Sequence, residues 1–133
     1  MDIRQHLSTL WIFILFNMAF ADIVGLAYPG TLAALIAADS EGVTFGNVEG
    51  IAVTPALLLL AAVFIETAIV MVVAARLLPR VPNRIANATA AIATGAFVIG
   101  GGSATAPYLF FAACEIAALS FILILAWRWP HDA

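Results

Sequence analysis

Four apolar runs punctuated by proline, glycine and arginine set out the plan of the chain. The first, 7 to 28, reads LSTLWIFILFNMAFADIVGLAY and ends at Pro29 and Gly30. The second runs from 54 to 78, the third from 85 to 102, and the fourth from Pro107 to Arg128. At 1.5 Å of rise per residue, about 20 apolar residues in a helix reach across a hydrocarbon layer of about 30 Å. The pattern therefore predicts four membrane-crossing helices in one domain, 1 to 133.

Local chemistry supports those boundaries. Pro29 cannot continue a helix and Gly30 tolerates the reversal. Thr31 then caps a short apolar segment, LAALIAA, expected to lie at the membrane surface. Residues 40 to 50, rich in Ser, Glu, Gly and Asn, read as a soluble loop, so 29 to 53 forms the outer connection. Thr54 is the expected N-cap and Pro55 the first residue of the second span. Pro79, Arg80, Pro82 and Arg84 read as a basic turn. The third span is rich in Ala, Gly and Thr, which suits a closely packed helix interface. Trp11, Trp127 and Trp129 are placed as interfacial anchors. The first segment also imitates a signal peptide, with Arg4 before the apolar core and a small-x-small pattern at Ala19 to Ala21. Asn17 within the core, and hydrophobicity continuing past Ala21, favour a retained helix.

Composition agrees with a membrane location. The chain is 65% apolar and only 10% charged, with a mean hydropathy of +1.11, against about 25% charge in a soluble domain. A net charge of -3 argues against a nucleic-acid partner. Cys114 has no second cysteine to pair with, and His6 and His131 stand at opposite termini, so no disulfide, metal site or bound cofactor is expected. Arg4, Arg76, Arg80, Arg84 and Arg128 all fall on one predicted side. The other side carries Asp39, Glu41 and Glu49, and the positive-inside rule then puts both termini in the cytoplasm.

The fold expected is all-α, an integral membrane antiparallel four-helix bundle. Pro55 to Arg76 and Pro107 to Arg128 are both 21-residue intervals, and each carries one glutamate. This parallel admits two helical hairpins related by an axis along the membrane normal, although spans of one bilayer share length and punctuation in any case.

The chemistry is carried by polar side chains in apolar runs: Asn17, Glu66, Thr94 and Glu115 near the midplane, and Asp22 further out. A charge at a helix centre costs about 2.5 to 3.5 kcal/mol on insertion scales, so these groups must face the interior and be protonated, paired or hydrated. No cation lies at that depth, since Arg76 is about 15 Å along the helix from Glu66. Two readings stand. The groups either line a proton-titrating cavity for a small amphipathic or cationic ligand, or they hydrogen-bond helices to one another in a structural or accessory subunit. Four spans rarely enclose a whole pathway, which points to a homodimer, with the small residues of the third span as one interface, or to a larger membrane partner. The glycines 100 to 102 lack the lysine of a phosphate loop, and Ser8, Ser103 and Ser120 have no histidine at their depth. A membrane enzyme is accordingly the weakest class, and no catalytic residue is assigned.

The segments STLWIFILFNMAFADIVG with PG at 29 to 30, NRIAN at 83 to 87, GGGSATAPY at 100 to 108 and AWRWP at 126 to 130 carry a resemblance. Through them the chain resembles a prokaryotic family of small four-span membrane proteins classed as a domain of unknown function. That implies a prokaryotic cytoplasmic membrane and supplies no activity. A glutamate in the second span followed by a basic stretch is also similar, in plan, to the DoxX-like superfamily. Some members of that superfamily are accessory subunits of membrane oxidoreductases.

Overall fold

The structure, a computed structural model, describes residues 2–33, 55–101 and 105–131. It is all-α, with no strand among the described residues and four long helices: α1 (Ile3–Ala27), α2 (Pro55–Leu77), α3 (Arg80–Gly100) and α4 (Ala106–Trp127). The LAALIAA segment, the 40 to 50 loop and Thr54 lie outside the described residues, apart from the helical residues 31–33.

Helix ends follow their capping chemistry. Asp2 caps α1 in a box, its carboxylate accepting from Arg4 N–H at 3.3 Å while Gln5 Oε1 accepts from Asp2 N–H at 3.1 Å. The helix thus begins four residues earlier than the apolar pattern indicated. It ends at Ala27, and Gly30 takes φ 89°, the left-handed region that the reversal requires. Pro55 does open α2, and Pro107 sits in the first turn of α4. The expected basic turn is mostly helix instead. Only Leu78 and Pro79 separate α2 from α3, and Arg80, Pro82 and Arg84 lie on the first turns of α3. Pro82 is tolerated there because the N–H groups of a first turn have no helical acceptor.

α1 packs on α2 and α4, and α3 packs on the same two helices. Near the N-terminus of α1, Ser8 Oγ donates to Val72 O near the end of α2 at 2.8 Å. Arg76 Nε donates in turn to Ser8 Oγ at 2.9 Å. Near the N-terminus of α3, Arg84 donates to Ala126 O at 2.6 Å and Trp127 O at 3.2 Å. Arg80 donates to Trp129 O at 2.7 Å and Pro130 O at 3.0 Å. Arg84 thereby satisfies carbonyls left open at the end of α4, Arg80 those of the segment just beyond it, and both oppose the negative dipole end of the helix.

The core at this end is part polar. Trp11 is fully buried, and its Nε1–H donates to Asn87 Oδ1 at 2.8 Å, so it is a core residue rather than an interfacial anchor. Asn87 Nδ2 donates to Asn83 Oδ1 at 2.6 Å and Asn83 O at 2.8 Å. Asn83 Nδ2 reaches Ala75 O at 2.8 Å and Leu78 O at 3.1 Å. One chain of bonds therefore links α1, α3 and the end of α2. Trp129 is also buried, beneath the Arg4 guanidinium at 5.6 Å from its ring centre, whereas Trp127 is 81% exposed and suits the anchoring role.

α1, α2 and α4 are long and apolar enough to cross a membrane. α3 does not pass on average hydropathy, because its inward stripe is small or polar: Asn83, Asn87, Ala90, Ala91, Thr94 and Val98 are buried. Its outward face carries exposed Val81, Ile85, Ile92 and Ile99.

Candidate functional site

The second polar region lies toward the other end of the helices. Glu115 is nine residues into α4, about 14 Å from its start, and is buried to 5% exposure. It has no hydrogen bond to a described residue. Asp22, five residues from the end of α1, is exposed, yet it lies within electrostatic reach of Glu115 and of Tyr108. Tyr108 in the first turn of α4 donates its hydroxyl to Val98 O at 2.9 Å, satisfying an open carbonyl in the last turn of α3. Among the described residues, Asp22 is the carboxylate within electrostatic reach of Glu115.

Thr94 joins the same region from α3. It is fully buried, and its Oγ1 has no hydrogen-bond partner. Its neighbour Gly95 faces Ile116 and Leu119, so closely that a Cβ there would stand 3.7 Å from Leu119, which sets Thr94 and Glu115 at about the same level of the α3–α4 contact. A buried hydroxyl left unmade costs about 1 to 3 kcal/mol. Most other polar side chains in these spans avoid that cost by bonding back one turn. Asn17 donates to Phe13 O at 2.9 Å, Thr67 to Val63 O at 2.9 Å and Ser120 to Ile116 O at 2.8 Å. Asn17, half-buried, is thus satisfied within its own helix.

Glu66 stands apart. It lies in the middle of α2, eleven residues after Pro55, but on an exposed face among Val63, Ile69 and Val70. The expectation that Glu66 and Glu115 share an interior is not met. One faces inward and the other outward, so the parallel between the two 21-residue intervals does not extend to their glutamates. No group of three or more His, Cys, Asp or Glu that could hold a metal ion occurs among the described residues.

Sequence reasoning missed Tyr108, and it missed the buried network of Ser8, Trp11, Asn83 and Asn87 at the arginine end. The four-residue spacing of Asn83 and Asn87, one turn apart on a helix, was the available signal for the second.

These features define an all-α protein with three apolar helices able to cross a membrane, and with polar groups gathered at two levels between its helices. The chain belongs to the family of unknown function DUF6326, whose model matches residues 1–133. No curated protein and no solved structure matches it.

Proposed function

We propose that this protein is a small integral membrane binding or transport module: an antiparallel four-helix bundle that takes up a proton, or a small cationic or amphipathic ligand, between Asp22 and Glu115. The observation that carries this reading is the pair itself. Two carboxylates lie within electrostatic reach on facing helices, one of them buried without a described partner, while every arginine contact described is at the opposite end. Two charged carboxylates in a medium of low dielectric constant repel strongly, and a shared proton or a bound cation relieves that repulsion. The Tyr108 hydroxyl, within electrostatic reach of both carboxylates, is a neutral oxygen of the same region, and Thr94 Oγ1 is another on the neighbouring helix. Asp22, being exposed, forms the entrance, and Glu115 forms the inner site.

The test uses the full chain in detergent or liposomes, with tetraphenylphosphonium as the cationic probe. Binding should fall by about tenfold or more in Glu115→Gln, the loss of one buried charge partner. Asp22→Asn should weaken it less, and Glu66→Gln should leave it unchanged. Because protonation removes the charge that attracts a cation, binding should weaken as pH falls. Unchanged probe binding and unchanged proton-linked flux in the Asp22→Asn, Glu115→Gln double variant would sink the proposal.

A second reading, a structural or accessory subunit, is favoured by Glu66. A carboxyl on the outer face of a membrane-length helix is costly against lipid and is relieved by a polar group on a neighbouring chain. A homodimer through the α2 face accommodates both readings. The small residues of α3 are the poorer interface, since Ala90 and Ala91 are buried within the chain.

A further inference from the structure

All five arginines gather at one end of the helices. Arg4 covers Trp129, Arg76 bonds Ser8, Arg84 holds the carbonyls at the end of α4, Arg80 those of Trp129 and Pro130 just beyond it, and Arg128 is the C-cap residue of that helix. Their described side-chain contacts are to a ring, a hydroxyl, carbonyl oxygens and the His131 ring, and none is to a carboxylate. Among the described residues one carboxylate, Asp2 at the N-cap of α1, stands at this end against five arginines, so a net positive charge is left there.

A groove of about 580 Å³ opens beside it, between the first half of α3 and the last half of α4. Its walls are apolar, with Val81 and Ile85 on one side and Leu123 and Ile124 on the other, and Arg84 and Arg128 complete the lining. Arg84 commits Nε and Nη2 to the end of α4, which leaves Nη1 for another acceptor. Arg128 makes no hydrogen bond through its side chain to any described residue. Val81, Ile85, Ile124 and Trp127 are exposed on this outward face.

We propose that this groove is a binding site for an anionic phospholipid, with an acyl chain between α3 and α4 and the headgroup phosphate on Arg84 and Arg128. The chemistry requires an amphipathic occupant, because apolar walls run directly into two cations. Basic pockets between spanning helices are suited to anionic headgroups. Arginine matches phosphate oxygens through its planar fork, and the exposed Trp127 ring belongs at headgroup level. A second copy of this chain fits less well, since two-fold pairing would set Arg84 and Arg128 against their own images. Inorganic phosphate satisfies the arginines and leaves the walls bare. This site is apart from Glu115 at mid-helix and from Asp22 toward the other end, and does not depend on their role.

The experiment is native mass spectrometry, with parallel thermal unfolding, of the full chain in detergent titrated with phosphatidylglycerol, phosphatidylcholine or inorganic phosphate. Phosphatidylglycerol should remain bound and raise the unfolding midpoint at concentrations where the other two do neither. Arg128→Gln, which breaks no described hydrogen bond, should weaken phosphatidylglycerol about fivefold, the effect of one arginine near a membrane surface. Ile85→Trp, which fills the groove and keeps the charge, should lower phosphatidylglycerol occupancy while the protein stays folded. Equal retention of phosphatidylcholine, equal stabilisation by inorganic phosphate, or full phosphatidylglycerol binding in both variants would each overturn the assignment. So would an Ile85→Cys variant in a Cys114→Ala background that cross-links to a second copy across this face.

Discussion

Asn87 satisfies three groups with one amide. Its Oδ1 accepts from buried Trp11, and its Nδ2 donates to the carbonyl and the side chain of Asn83. Removing it leaves the indole N–H of fully buried Trp11 without its acceptor, a loss of about 1 to 2 kcal/mol given the modest worth of hydrogen bonds within membranes. Asn87→Ala should therefore lower stability by about that amount in reversible unfolding in detergent. Trp11→Phe combined with Asn87→Ala should cost less than the sum of the single changes, because the second substitution then orphans nothing. Strict additivity would show that the bond does not couple α1 to α3. Glu115 and Glu66 make the complementary point at this scale. The same residue type, at mid-helix in two comparably apolar runs, is buried in one and exposed in the other.

At the level of elements, α3 is built inside out, with asparagine, alanine and threonine toward the other helices and isoleucine outward. Polar side chains at membrane depth are affordable where the protein itself supplies partners, and the outward isoleucines then meet the surroundings. This arrangement explains why α3 falls short of the other three helices on average hydropathy. The α2 helix has the opposite problem, an apolar outer face interrupted by Glu66. Val63 and Val70 flank it on that face. In a Cys114→Ala background, Val63→Cys and Val70→Cys should form cross-links between copies in native membranes, and Glu66→Leu should abolish them. Cross-links to a larger protein would support the accessory-subunit reading, and no cross-link of either kind would leave α2 facing lipid and remove both.

For the whole molecule, the arginines gather at one end while Asp22 stands toward the other, with Glu115 between, so orientation decides which end meets the cytoplasm. The positive-inside rule predicts that the arginine end does, and cysteine labelling tests it. In the Cys114→Ala background, His6→Cys and His131→Cys should resist a membrane-impermeant maleimide in intact cells and react after lysis, while Thr31→Cys should react in intact cells. Labelling of residues 6 and 31 from the same side would mean that α1 does not cross. Much of this plan was legible in the chain itself. The lengths of the apolar runs, the reversal at Pro29 and Gly30, and the openings at Pro55 and Pro107 follow from bilayer thickness and from backbone rules that act within a few residues. The chain alone also placed all the arginines together. What it left open was which face of each helix turns inward. α1, α2 and α4 are apolar nearly all round, so periodicity marks no buried stripe, and a polar residue in such a run is equally compatible with core, lipid or partner. Packing decided that Trp11 leaves the interface for the core, that Glu115 turns inward within electrostatic reach of Asp22 while Glu66 turns outward, and that Asn83 and Asn87 join three helices. Those choices depend on which partners lie across a helix contact, and such partners are tens of residues away along the chain.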